Sequence, residues 1–548
     1  MPSFFNDKWK YCEMMDDLKI GLTFSGGGYR AATFHLGVLS YLDSVKVEEH
    51  TLLEGVTALS TISGGTITGL RYMLGLSRGE SVHEIFRDLY DFLLNTDLVT
   101  LALDNLSVYG KEQQASLIRT MSGIYNRELF KGAVLGELMA KLGEGHISHF
   151  SANATDFTNG LPFRFQITEK IDGASGTPYE YGLIGNEKIQ LSRETATYIR
   201  LSDILACSSC FPSGFEPMIF PSDFVWKDFE AVKPFFDGME SVGIMDGGIV
   251  DNQGIEPVLL AEQQMKRSCP QRDDKCLDLI IVSDVSSPYM DAYKPSNIRL
   301  SKVVRLLSLN KVSSMLNSAE VIAAAIFIGS LFCPVRYVSD VFFMLLGFMT
   351  MIWVVWSITK RYIVKVAGKS IIKHSISSIL DLQVGDMVTL LMNRVHSVLM
   401  LTTSVFMKHI RRLEYACVYR DSKWFNRRIT NTVYELRKDE RWVDKIVSGD
   451  LDKSLTPSIA MQENSDKAAA MGTTLWFTPE DKVNGIPEAL IAAGQYTICW
   501  NLLEYIDNIK KNPVNLNKHH QLIVACEPQL RRDWENFKKN PQLKASIL

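Results

Sequence analysis

Short apolar runs alternate with stretches of helical spacing from Ile20 to about Ser286. Ile20–Phe24 and Val56–Ile62 have the length of strands, and each is followed by apolar residues spaced three and four apart. Leu279-Ile280-Ile281-Val282-Ser283 is a further run of the same kind. Continuous apolar runs of strand length, set between helices, predict an α/β architecture with a mostly parallel sheet flanked by helices. Asn159-Gly160 and Asp237-Gly238 mark turns between elements.

After Pro295 the pattern changes. Val321–Val335 and Val341–Ile358 carry no charge, and only Arg336-Tyr337-Val338-Ser339-Asp340 separates them. The second run has the length of a membrane-spanning helix, and the pair predicts a helical hairpin with Pro334 ending its first arm. Basic residues flank it, with Arg299, Lys302, Arg305 and Lys311 before and Lys360, Arg361, Lys365, Lys369 and Lys373 after. The positive-inside rule then puts both flanks on the cytoplasmic side, with Trp353 and Trp356 suited to an interfacial belt. A hairpin buried in a soluble core is the alternative. From Ser370 to about Asp444 the spacing is helical and basic in places, at Lys408, Arg411, Arg412, Arg427 and Arg428. That suits either a helix on anionic lipid or a solvated face.

Thr473-Thr474-Leu475-Trp476-Phe477 has the pattern of a strand, and Leu490–Ile506 that of a long apolar helix. The expected organisation is a segment 1–19, an α/β core 20–290 and a helical insertion 291–464 with membrane helices 319–335 and 341–358. A strand and helix at 465–510 complete the core, and 511–548 is an extension.

Composition narrows the partners. Lys and Arg number 58 against 62 Asp and Glu, a net charge of −4, so nothing in the overall balance favours nucleic acid. Nine scattered cysteines do not form a disulfide framework and suit a reducing compartment. Met1–Asp17 is polar, with no apolar core of a secretory signal, so synthesis in the cytosol is expected.

Two strand-to-helix turns carry the candidate chemistry. Ser25-Gly26-Gly27-Gly28-Tyr29-Arg30 follows the first apolar run, and Thr61-Ile62-Ser63-Gly64-Gly65 ends the second. Three glycines between a strand and a helix can form a nest of N–H groups for a phosphate or an oxyanion. A serine on a sharp strand-to-helix turn exposes its hydroxyl, but needs a base and oxyanion donors to act. No histidine stands in a recognisable position for that base; His35 falls in the helix after the glycine loop, and His519 and His520 in a polar stretch. Asp246, in Ile244-Met245-Asp246-Gly247-Gly248, ends a strand beside two glycines and could approach Ser63 directly. A nucleotide site on the glycine loop is the rival reading; its ribose-binding carboxylate would have to be Asp43 or Glu48, which lie in a helical, polar context.

Taken together, these stretches resemble the patatin-like phospholipases, acyl hydrolases that use a Ser/Asp dyad. In that family a G-G-G-x-R/K loop forms the oxyanion hole, G-x-S-x-G carries the nucleophile and D-G-G/A the base, in this chain order. The resemblance implies Ser63 and Asp246 as the catalytic pair and Gly26, Gly27, Gly28 and Gly64 as the oxyanion hole. Gly65, Gly247 and Gly248 support it, and Arg30 steadies the loop or attracts a lipid phosphate. It implies no cofactor and no metal, and argues against Cys207-x-x-Cys210 as a zinc or redox pair. Asn153-Ala154-Thr155-Asp156 and Ala206-Cys207-Ser208-Ser209-Cys210-Phe211-Pro212 are similar to further family segments, and Thr473–Ile506 to the C-terminal strand and helix of bacterial members. Thr61 departs from the pattern, standing where the family has glycine. The expected function is hydrolysis of fatty-acyl esters of membrane phospholipids or lysophospholipids by an enzyme tethered to the bilayer, with its catalytic part on the cytoplasmic side. Such an enzyme endangers its own membrane, which calls for control by homo-oligomerisation or by the insert. The alternative is a membrane-anchored scaffold or binding protein with an inactive hydrolase fold.

Overall fold

The computed structural model describes residues 18–47, 49–109, 116–169, 184–212, 214–268, 277–290, 292–295, 308–332, 336–368, 383–438, 440–511 and 518–542. Met1–Asp17, Glu48, Cys269, Cys276, Arg299, Lys302, Arg305, Cys333, Pro334, Val335, Lys369 and Lys373 lie outside the described residues. The chain divides into two units, one of Met1–Tyr289 with Met407–Leu548 and one of Met290–Phe406.

The first unit is built on a mixed, mostly parallel sheet flanked by helices. Its main strands are β1 (Ile20–Phe24), β2 (Val56–Ile62), β3 (His149–Asp156), β4 (Leu161–Thr168), β5 (Val242–Asp246), β6 (Leu279–Asp284) and β7 (Arg428–Thr432). The order β7-β6-β1-β2-β3 is parallel throughout, and β4 then pairs antiparallel with β3. Every residue of β1 and β6 is buried, as expected of central parallel strands covered on both faces. The Asn159-Gly160 turn closes the β3–β4 hairpin, with the Asn159 N–H donating to the Asp156 carboxylate at 2.9 Å.

Helix α1 (Gly28–Ser44) follows β1, α2 (Gly64–Arg78) follows β2, and α3 (Leu201–Ser208) lies near the small-residue segment. The C-terminal helix Ile486–Lys511 crosses α1 backbone to backbone. A Cβ on Gly37 would lie 2.2 Å from the Ile491 carbonyl oxygen, and one on Gly494 2.2 Å from that of Phe34. The residues after it also join this unit: Trp534 is buried, with its indole N–H on the Ser454 carbonyl at 3.0 Å.

Two expectations for the late chain need correction. Thr473–Phe477 is irregular chain rather than a strand, because its backbone serves the glycine loop: the Tyr29 N–H donates to the Thr474 carbonyl at 2.8 Å. The strand that extends the sheet is β7, inside the stretch expected to be helical insertion. Its alternating burial marks it as the sheet edge.

The second unit contains α4 (Leu309–Ser330) and α5 (Arg336–Gly368). Trp353 donates to Asn317 Oδ1 at 2.6 Å and Trp356 to Ser313 Oγ at 2.9 Å, so the two helices run antiparallel with both tryptophans of α5 turned onto α4. Helix α6 (Val384–Met400) continues through Leu401–Phe406 into α7 (Met407–Tyr419) of the first unit. Among the described residues, three helices are long and apolar enough to cross a membrane, at Ser313–Ser330, Asp340–Ile358 and Gly385–Tyr419. The first begins before the expected 319 because α4 starts at Leu309 and ends at Ser330. The third was not expected as a span, since its basic residues crowd its last third.

Candidate active site

The chain turns from β2 into α2 at Ser63 with φ 50° and ψ −118°, a backbone conformation that costs a non-glycine residue of order 1–3 kcal/mol. Packing against the glycine loop holds it there. A Cβ on Gly64 would lie 2.0 Å from the Gly28 carbonyl oxygen, and one on Gly65 2.5 Å from that of Phe24. Ser208, at the end of α3, supports the turn from the other side. Its hydroxyl accepts the Ser63 N–H at 2.9 Å, donates to the Asn153 carbonyl at 2.7 Å and meets the Thr66 hydroxyl at 2.8 Å.

Thr61 fits the elbow because its space is made elsewhere. Its Cγ2 lies where a side chain at Gly69 would be, 2.3 Å from a Cβ built there, and its hydroxyl donates to the Ser151 carbonyl at 3.3 Å. The glycine missing from position 61 is in effect supplied by the helix it faces.

Register brings Asp246 to Ser63. On β3, Asn153 pairs with Ile62, the last residue of β2, and Ala154 pairs with Asp246, the last residue of β5. The edge of β3 is thus shared: β2 occupies it until the chain leaves for the serine turn, and β5 takes over at the next residue. The aspartate backbone is fixed at both ends, its N–H on the Cys210 carbonyl at 3.0 Å and its carbonyl accepting the Thr155 hydroxyl at 2.8 Å. Gly247 allows the strand to pass the Asn153 carbonyl, 2.4 Å from where its Cβ would stand. Asp246 Oδ1 accepts the Gly248 N–H at 2.7 Å. Burial pushes the carboxyl up to about 6, with hydrogen bonds from the Gly248 N–H and the Ser63 hydroxyl pulling the other way.

The glycine loop divides its labour. The Gly26 N–H donates to the Asn252 carbonyl at 3.1 Å, so this residue's part is close approach: a Cβ on it would lie 3.2 Å from that of Ser63. Gly27 and Gly28 have φ of 148° and 59°, open only to glycine at no steric cost. Their amides and that of Gly64 donate to no acceptor among the described residues. Arg30 turns away from the serine. Its guanidinium donates to the Met471 carbonyl at 2.8 Å and the Tyr434 hydroxyl at 3.3 Å, which makes it a tie between α1 and the C-terminal chain.

The remaining candidates lie elsewhere. His35 stacks on Phe24 with ring centroids 4.5 Å apart and sets Nε2 against the Ser283 carbonyl, and burial pushes it down to about 3, a core histidine. Cys207 and Cys210 are buried as free thiols against Met218 and the Glu216 carbonyl. Asp43 is inside α1 and not at a strand end, where a ribose-binding carboxylate belongs. Asn252 and Ser208 went unnoticed as site residues in the sequence, because small polar side chains that bond to nearby backbone carry no motif of their own.

Residues 22–259 match the family model Patatin-like phospholipase. No curated protein matches the chain. Among solved structures, human GIVD cytosolic phospholipase A2 is similar over 49% of this chain and 43% of that one, at 14% identity and a TM-score of 0.30. The same human protein in complex with methyl gamma-linolenyl fluorophosphonate is similar over 49% and 41%, at 16% identity and a TM-score of 0.30. These similarities span less than half the length of those chains. The glycine loop, the serine turn and the aspartate strand all fall within the matched residues, and residues 22–259 of the chain match as a patatin-like phospholipase domain.

Proposed function

We propose that the protein is a membrane-tethered serine hydrolase that cleaves fatty-acyl esters of phospholipids or lysophospholipids with a Ser63/Asp246 dyad. The observation that carries this reading is the strained backbone of Ser63, held at the end of β2 beside a buried carboxylate of raised proton affinity. Asp246 takes the Ser63 proton as the serine oxygen adds to the ester carbonyl. The N–H groups of Gly27, Gly28 and Gly64 receive the oxyanion, while Gly26 lets the loop come close enough. Collapse of the intermediate expels the lyso-lipid alkoxide, which takes the proton from Asp246, and leaves an acyl ester on Ser63. Asp246 then deprotonates a water that attacks this ester, and the released serine oxygen regains the proton as the fatty acid departs.

The hairpin supports the tether. Almost nothing of Ser313–Ser330 or Asp340–Ile358 is buried, and contiguous apolar surface of that extent is stable in lipid rather than in water. The basic flanks favour a catalytic unit on the cytoplasmic side. Membrane lipid then reaches the site at high local concentration without a search by diffusion.

Detergent-solubilised protein is expected to release fatty acid from phospholipid or lysophospholipid, and Ser63→Ala and Asp246→Ala to lose activity by about three orders of magnitude or more while still unfolding cooperatively on heating. Parent-like turnover in either folded variant would remove the dyad. A folded parent with no esterase activity on any of these lipids would leave the scaffold reading in its place.

A further inference from the structure

We propose that Arg411 is a positioning residue for the dyad: through its ion pair with Asp284 it holds α7, the continuation of the third apolar helix, against the turn that carries Asp246. The inference rests on the dyad reading above and adds a part of the chain that no motif of the site includes.

Asp284 ends β6 and is completely buried. Its Oδ2 accepts Arg411 Nε at 2.8 Å, the Tyr415 hydroxyl at 3.0 Å and Gln253 Nε2 at 3.4 Å, and its Oδ1 accepts the Ser286 N–H at 2.7 Å. Arg411 and Tyr415 are four apart, on one face of α7, so the helix is gripped at two successive turns. An apolar pair of the same volume would stabilise such a spot as well, and the use of buried charge there is best explained by the geometry it specifies.

Two paths lead from this pair to the site. Asn252 Nδ2 donates to the Ser286 hydroxyl at 2.6 Å, and its Oδ1 is wedged between the two glycine motifs, 2.5 Å from a Cβ built on Gly26 and 2.6 Å from one built on Gly248. The other path is direct. Met407 lies one turn before Arg411 on the same face, and its methyl group is 3.2 Å from a Cβ built on Gly248. The Gly248 N–H is the donor that fixes Asp246 Oδ1. Release of α7 would loosen that donor and, through Asn252, the loop that faces Ser63. The sequence is consistent with this docked role: Lys408, Arg411, Arg412 and Glu414 fall in α7, whereas 397–407 is free of charge.

The test uses the full-length protein in detergent with a water-soluble short-chain ester, which removes membrane binding from the measurement. R411M is expected to lower kcat by about tenfold with KM within about twofold, and to speed amide hydrogen exchange across residues 246–253. R411K should restore at least half of kcat. The double variant D284N/R411M leaves no unpaired buried carboxylate, so it should regain the parent's Tm without regaining kcat. Parent-like kcat in folded R411M overturns the proposal, as does a double variant that recovers kcat together with Tm. S63A on the same ester tells the two readings apart. If the parent shows no Ser63-dependent turnover, the dyad reading fails by itself; the exchange data then decide alone, and unchanged exchange in both R411M and the double variant removes the clamp.

Discussion

In the unit that carries Ser63, Leu22 and its neighbours in β1 are sealed between layers; in the unit Met290–Phe406, Phe343, Met344 and Phe348 each stand more than half exposed. Glycines differ in the same way. Gly64 has no room for a methyl group, whereas around Gly329 and Gly347 nothing lies within 4 Å of a built Cβ. Equally apolar sequence is thus packed in two ways. One unit turns it inward and uses glycines such as Gly37, Gly64 and Gly494 for backbone contact, and the other leaves it outward on helices long and apolar enough to cross a membrane.

Charge placed in each unit is the severest test of that contrast. Leu22→Lys buries an unpaired ammonium and is expected to cost about 3–5 kcal/mol, enough to unfold the sheet unit, as read by thermal melting. Phe348→Lys, on an outward face near the middle of Asp340–Ile358, should leave that melting unchanged but weaken retention in the membrane pellet after carbonate extraction, by about 2.5–3.5 kcal/mol at a bilayer centre. Equal loss of stability in both variants would end the distinction between the units.

A methyl group is the next, smaller probe. Gly64→Ala sets a Cβ against the Gly28 carbonyl and is expected to lower kcat/KM by about a hundredfold, by pushing apart the two turns that hold the proposed oxyanion donors. Gly347→Ala enters open space within a helix and should stabilise it by about 0.5–1 kcal/mol. Chemical denaturation and steady-state kinetics on the two variants separate these outcomes.

Protons give the finest probe, and one confined to the buried unit. A carboxylate base works only when ionised, so with Asp246 in the proposed role kcat/KM should fall about tenfold per pH unit below about 6 and level off above it. The same shift has an opposite effect on stability. Between about 4 and 6 the folded carboxyl keeps a proton that the unfolded chain has released, so its contribution is fully present at low pH and is lost as pH rises through about 6. Asp246→Asn should therefore melt a few degrees above the parent at pH 7.5 and show no such gain near pH 4.

What the sequence revealed follows from how local each signal is. Ile20–Phe24, Val56–Ile62 and Leu279–Ser283 are continuous apolar runs, and a strand covered on both faces has to look like that. Gly26–Gly28, Ser63 and Asp246 were legible because each stands at the end of such a run, where a turn needs particular residue types. The pairing that joins them was not, since Ile62 and Asp246 meet only through their successive partners on β3. Thr473–Phe477 misled for a different reason: β-branched and aromatic residues fit a strand, but here their backbone bonds go to Tyr29 and Leu98. Arg428–Thr432 was hidden because an edge strand alternates, and Arg428 and Asn431 broke up its apolar signal.

The dependence of the glycine loop on residues far along the chain sets an order of events during synthesis. When Asp246 has emerged from the ribosome, both members of the pair exist, but Met471, which receives Arg30, and Thr474, which receives Tyr29, do not. At ordinary rates of translation they follow on the order of tens of seconds later. All three apolar helices are made within that interval. The glycine loop is therefore complete only after each of these segments able to cross a membrane has been made.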